Sequence, residues 1–203
     1  MRCAVCNSAP RQRRIHYILN ERIPNWKDLR VHEFAPFRDW VSSKAISYSS
    51  SQYYPDEVLG KTVGAFRNED VEQLTFPDES IELFLIEDLL EHVFQPQRAI
   101  REMLRTLKTG GWILGTVPLE GWRGNTKARA ILKDLGQVEY LEEKRFHGTP
   151  AGSHGSLVVW EYGVDFEDRM RAWVGNHSVE FFGGEMLKYM IKNDKRSTFL
   201  IRK

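Results

Sequence analysis

The stretch FLIEDLLEHVFQP, residues 84–96, ends an apolar run abruptly in Glu87 and Asp88 and places Glu91 and His92 one helical turn later. Carboxylates gathered beside an imidazole suit two kinds of chemistry: attraction of a cation and proton transfer to or from a reacting group. A solvated helix face, with Glu91 and His92 complementing its dipole, would carry the same charges and do neither. His147 in FHGTP and His154 in GSHGS add two more imidazoles, in glycine-rich segments that would cover a site or simply be solvated. Cys3 and Cys6 form CAVC. These are the chain's two cysteines, which excludes a disulfide framework, and a structural zinc needs four ligands, of which His16 offers at most a third. CAVC is read as a knuckle-like turn or a partial metal site, and no metal ligand is assigned.

The elements that must position these residues follow from hydrophobic spacing. Ile15, Ile18 and Leu19 predict a helix over residues 9–22, ended by Pro24. LRVHEFAPF (29–37), AISYSS (45–50) and the weaker GAFRNED (64–70) predict strands. SIELFLIED (80–88) is the strongest strand, an almost continuous apolar run of the kind a parallel sheet buries on both faces. Ile100, Met103, Leu104 and Leu107 mark a helix over 96–111, opened by Pro96 and closed by Lys108 and a glycine pair, and WILGTVP (112–118) is the next strand. Beyond it, NTKARAILKDLG predicts a helix, KRFHGTPAGSHGS a loop, DFEDRMRAWVG a helix, and SVEFF with STFLIRK a closing strand pair. Alternating strands and helices predict an α/β fold: an open, mostly parallel twisted sheet, helices on both faces, and an antiparallel edge strand. Ligands of such sheets sit beyond the carboxyl ends of the strands, which is where Glu87 and Asp88 would stand.

With 203 residues the chain is long enough for one well-cored domain. It is divided here into an N-terminal cysteine knuckle and helix, 1–28, and a main domain, 29–203. A formal charge of +1 argues against a dedicated nucleic-acid binder. The local exception is RQRRIH at 11–16, which a nucleic-acid contact or a solvated first helical turn would explain equally. No apolar run reaches the ~20 residues of a membrane span, and the polar, basic start is not signal-like, so a cytoplasmic location is expected.

EDVEQLTFPDESIELFLIEDLLEHVFQPQRAIREMLRTLKTGGWILGTVP resembles the central half of a class I S-adenosylmethionine-dependent methyltransferase. The matching motifs are the D-x-x-x-L-P-F-like stretch Asp70–Phe76, L-E-H-V at 90–93, L-K-x-G-G at 107–111, and the terminal Val117–Pro118. CAVCNSAPRQRR and RFHGTPAGSHGSLV resemble a bacterial subgroup with a cysteine knuckle and an H-G-x-P loop. The resemblance implies a Rossmann-like fold, S-adenosylmethionine as cofactor, and a small-molecule or carbohydrate acceptor. It assigns the cofactor's methionine and ribose to the loop after the first strand, here Glu33, Phe34, Ala35 and Pro36; the family's second strand ends in an acid that holds the ribose hydroxyls, and in its place ISYSSSQYY offers Tyr48, serines such as Ser49, and Gln52. Asp70 and Val71 correspond to the adenine-contacting turn, and Glu87 and Asp88 to the lining of the methyl-donor site. Asp88, His92 and His147 are the candidate bases. The family's first loop is glycine-rich, which permits positive φ and close approach; EFAPF has no glycine, and loss of both freedoms is expected. A catalytically silent scaffold on the same fold is the alternative.

Overall fold

The computed structural model describes residues 2–5, 7–36, 39–119, 124–149, 152–191 and 196–203. Along the chain run α1 (Pro10–Arg22), β1 (Arg30–Phe34), β2 (Ser47–Gln52), β3 (Thr62–Val63), β4 (Phe66–Asn68), β5 (Ile81–Glu87), α2 (Pro96–Thr106) and β6 (Leu107–Pro118). They are followed by β7 (Lys127–Ala128), β8 (Ala130–Leu132), β9 (Val138–Tyr140), β10 (Phe146–Thr149), β11 (Gly152–Leu157), β12 (Trp160–Glu161), α3 (Phe166–Val174), β13 (Ser178–Phe182) and β14 (Arg196–Arg202). Eight strands form one sheet in the order β13-β14-β6-β5-β1-β2-β4-β3. β4, β2, β1, β5 and β6 are parallel, while β14 runs antiparallel between β6 and β13.

The apolar run of β5 lies at the centre because both of its faces are buried. Leu83 and Leu85 pack with Leu114, Leu200 and the α1 residues Ile15, Ile18 and Leu19. Phe84 and Ile86 pack on the other side with Ile100 and Met103 of α2, and with Phe166 and Met170 of α3. Helices therefore cover both faces, as the alternation predicts. Pro10 and Pro96 each open a helix at its first turn, where a missing N–H costs nothing. No helix among the described residues is long and apolar enough to cross a membrane.

Four expectations are corrected. α2 stops at Thr106, and Leu107 already pairs with Ile81. The glycine pair sits inside β6: Gly110 (φ +81°) donates its N–H to the Lys203 carbonyl at 2.9 Å. The expected helix over NTKARAILKDLG is instead β7, β8 and a 3-10 turn. Its cations are matched by acids on neighbouring segments: Arg129 pairs with Glu161 at 2.6 Å, Lys127 with Glu142 at 2.9 Å, and Lys133 with Glu139 at 2.6 Å. A helix would dismantle these pairs and expose their backbone partners. The expected loop KRFHGTPAGSHGS is the hairpin β10–β11. Gly155 (φ +72°) admits the close approach of the His147 carbonyl there, since a Cβ would stand 2.5 Å from that oxygen. Finally, RQRRIH is not a solvated turn. Arg14 is fully buried and donates to the Phe182 and Gly184 carbonyls, Arg13 donates to those of Ser8, Tyr189 and Met190, and Arg11 reaches β5. Cys6, Pro150 and the side chain of His154 lie outside the described part.

Candidate functional site

Parallel register brings the ends of β5, β1 and β2 side by side: Glu33 stands opposite Leu85 and Ser50, and Phe34 opposite Ile86 and Ser51. Glu33 is buried and accepts a hydrogen bond from the Tyr48 hydroxyl at 2.8 Å. Burial pushes its carboxyl up to about 7, the Tyr48 bond draws it partly back, and the charge of Glu87 adds to the rise. Glu33 is thus a carboxylate whose charge is costly until a cation arrives.

After it the chain turns at Ala35 with φ +48°, the left-handed conformation that glycine usually supplies. The freedom expected to be lost is therefore retained without glycine. A bond from the Ala35 N–H to the Ser51 carbonyl, 2.8 Å, fixes the turn. The ring of Phe34 lies in the core, stacked on Phe84 and edge-on to His32, so only its backbone borders the strand ends. Pro36 is half-buried beyond the turn.

Tyr48 serves the site through Glu33. Ser49 does not join it: its hydroxyl binds Nδ1 of His32 at 2.8 Å, three residues short of the end of β2. His32 is fully buried among Phe34, Phe76 and Phe84, and burial pushes its imidazole down to about 3, so it is a neutral packing group. The residue at the strand end is Gln52. It is buried, and its amide nitrogen has no hydrogen-bond partner among the described residues. Such an orphan donor is costly unless something fills the space before it.

Asp70 and Val71 follow β4. The Asp70 carboxylate accepts from the Glu72 N–H at 2.8 Å, which builds the turn, and Val71 is buried in the core. At the end of β5, Asp88 takes φ +50° and is held to β6, donating its N–H to the Thr116 carbonyl at 3.0 Å and accepting from the Thr116 hydroxyl at 2.7 Å. Arg11 of α1 stands against both acids, its Nε 3.0 Å from Glu87 and 3.4 Å from Asp88. This guanidinium went unnoticed in the sequence because 76 residues separate it from Glu87.

Glu91 and His92 do not lie on a solvated helix face; they occupy a separate 3-10 turn, Leu90–His92, ahead of α2, with Glu91 buried. That turn is clamped by Tyr162, whose hydroxyl donates to the Leu90 carbonyl at 2.9 Å, and by the Val159 N–H, 2.7 Å from the Glu91 carbonyl. His92 bonds through Nδ1 to the Leu157 carbonyl at 2.8 Å. Its pKa is lowered by burial, which outweighs the Leu157 bond. The hairpin brings His147 edge-on to His92 with ring centres 5.3 Å apart.

Residues 41–115 match the family described as "Methyltransferase domain", less than half of the chain. Among solved structures, the chain is similar to an S-adenosylmethionine-dependent methyltransferase from Mesorhizobium loti, with 15% identity, 97% of this chain and 99% of that one covered, and a TM-score of 0.57. It is similar also to the Burkholderia thailandensis 1,6-didemethyltoxoflavin-N1-methyltransferase, with bound 1,6-didemethyltoxoflavin and S-adenosylhomocysteine (13% identity, 94% and 77% covered, TM-score 0.56). A third neighbour is the [4+2]-cyclase SpnF (15% identity, 94% and 81% covered, TM-score 0.52). No curated protein matches the sequence. The protein therefore has the Rossmann-like fold of S-adenosylmethionine-dependent methyltransferases and carries a methyltransferase-domain segment.

Proposed function

We propose that the protein is an S-adenosylmethionine-dependent methyltransferase with a small-molecule or carbohydrate acceptor. The observation that carries this reading is the convergence of Glu33, the left-handed Ala35 turn, Gln52, Glu87 and Asp88 on the ends of three neighbouring strands. These residues fit the group. The buried carboxyl of Glu33 and the half-buried ones of Glu87 and Asp88 suit its positive charge, the orphan amide of Gln52 suits ribose hydroxyls, and the turn at Ala35 keeps side-chain bulk small where the backbone must come close. Bound there, S-adenosylmethionine would supply a methyl group on a cationic sulfur, already activated for transfer. The protein's task is then to hold the acceptor in line, and to take a proton where the acceptor is a hydroxyl or amine. Asp88, His92 and His147 are proposed for that, in this order. The turn of Asp70 and Val71 is proposed to border the adenine. The ligand of the Burkholderia neighbour supports a small-molecule acceptor.

A silent scaffold is favoured by one observation: Arg11 already pairs with both Glu87 and Asp88. Thermal shift with S-adenosylmethionine and S-adenosylhomocysteine separates the readings. In the methyltransferase, Arg11 competes with the sulfonium for the same acids, so Arg11→Ala is expected to tighten S-adenosylmethionine binding about fivefold, equivalent to ~1 kcal/mol. S-adenosylhomocysteine, which lacks the charge, would gain less. In a scaffold neither ligand shifts the melting temperature of either protein.

A further inference from the structure

We propose that Glu91, His92 and His147 form a binding site for a divalent transition metal of the zinc type; a metal there would occupy the lone pairs of both imidazoles and leave Asp88 as the base of the proposed reaction. One ligand atom from each residue lies within 4.8 Å of the others. Nε2 of His92 is 3.7 Å from Oε1 of Glu91, and Nδ1 of His147 is 3.9 Å from the same oxygen. Ligands on a tetrahedral ion with bonds of about 2.1 Å lie about 3.4 Å apart. The two contacts to Glu91 exceed this by a few tenths of an ångström, and the two imidazole nitrogens, which lie within 4.8 Å of each other, would have to approach by at most about 1.4 Å.

Three further observations show a prepared set of donors rather than a chance meeting. First, a carbonyl can only accept, so the 2.8 Å contact from Leu157 requires the proton of His92 on Nδ1. This leaves the Nε2 lone pair toward Glu91, with the backbone-anchored tautomer that metal-binding histidines adopt. Second, the Glu91 side chain is fully buried, and its own backbone is held by Val159. A buried carboxylate beside two imidazoles is a poor packing choice and a good ligand set. Third, the hairpin that delivers His147 also delivers Leu157, so one element sets both the ligand and the tautomer. Two imidazoles and a carboxylate suit zinc, cobalt or nickel over magnesium or calcium, and leave a coordination position for water or an acceptor oxygen.

The test uses the full chain carrying Cys3→Ser and Cys6→Ser, so that any metal held by those thiols is not counted, stripped with chelator and titrated with cobalt(II) by absorption and with zinc by calorimetry. One equivalent is expected to bind at micromolar concentration and to raise the melting temperature. His147→Ala, on a half-exposed strand, and His92→Ala should each weaken binding at least tenfold; Glu91→Gln gives a third check where it folds. Failure of the parent to bind either metal, or binding unchanged by His147→Ala and His92→Ala, would overturn the proposal. Neither outcome bears on cofactor binding at the strand ends.

Discussion

Replacing Glu33 by glutamine is expected to stabilise the protein by about 3 kcal/mol at pH 8 and by almost nothing near pH 4. Glutamine copies the shape of the protonated acid and still accepts the Tyr48 hydroxyl, now 2.8 Å from Oε2. The folded protein holds the Glu33 proton up to about 7, mainly because burial penalises the charge, whereas an unfolded chain releases it near the usual 4.5. Between these values the native state binds more protons than the unfolded one, so its stability falls as pH rises and levels off above about 7. The variant lacks this loss. Urea unfolding of both proteins from pH 4 to 8 measures it, and parallel pH profiles would show that Glu33 is ionised at no cost. The same cost explains what a cation could gain here: under the proposed function, S-adenosylmethionine affinity rises with pH through about 7 in the wild type and is flat in Glu33→Gln.

Gly163→Ala should act in the opposite direction, with a loss of about 3 kcal/mol or more and a fall of about 10 °C in melting temperature. A Cβ on Gly163 would stand 2.0 Å from the Gly124 carbonyl oxygen, 2.5 Å from the Asn125 carbonyl carbon and 2.7 Å from the Thr126 nitrogen. All three atoms are backbone, so no side chain can swing aside. Gly163 also donates its N–H to the Thr126 hydroxyl at 3.0 Å, and Val164 donates to the Gly124 carbonyl at 2.9 Å. The segments so joined carry Tyr162, which props the Leu90–His92 turn. Gly183→Ala, where a Cβ meets nothing within 4 Å, is the control. Equal melting of the two variants would refute the packing account.

What could be read in advance was whatever depended on neighbours in the chain. β5 declares itself by an apolar run, and α2 by Ile100, Met103 and Leu104 on one face, all buried as expected. Glu33, Glu87 and Asp88 were found at strand ends because strand ends follow from strands. What depended on distant partners was hidden. The helical spacing in NTKARAILKDLG yields to cross-strand ion pairs with Glu139, Glu142 and Glu161. Left-handed Ala35 violates the local preference of alanine and persists through its bond to Ser51. Arg11 reads as one more basic residue until α1 lies across the sheet and sets it on Glu87.

The Ala35 turn is proposed to border a cofactor, and calorimetric titration with S-adenosylhomocysteine is the most direct test. Ala35 is half-buried, and its left-handed backbone suits leucine about as well as alanine. Ala35→Leu should therefore keep its melting temperature while placing a bulky side chain beside the strand ends. The account predicts micromolar binding to the wild type, retained in Ala35→Gly and lost by at least about 100-fold in Ala35→Leu. A wild type that gives no heat at millimolar ligand, or an Ala35→Leu variant that binds as tightly as the wild type, would contradict it.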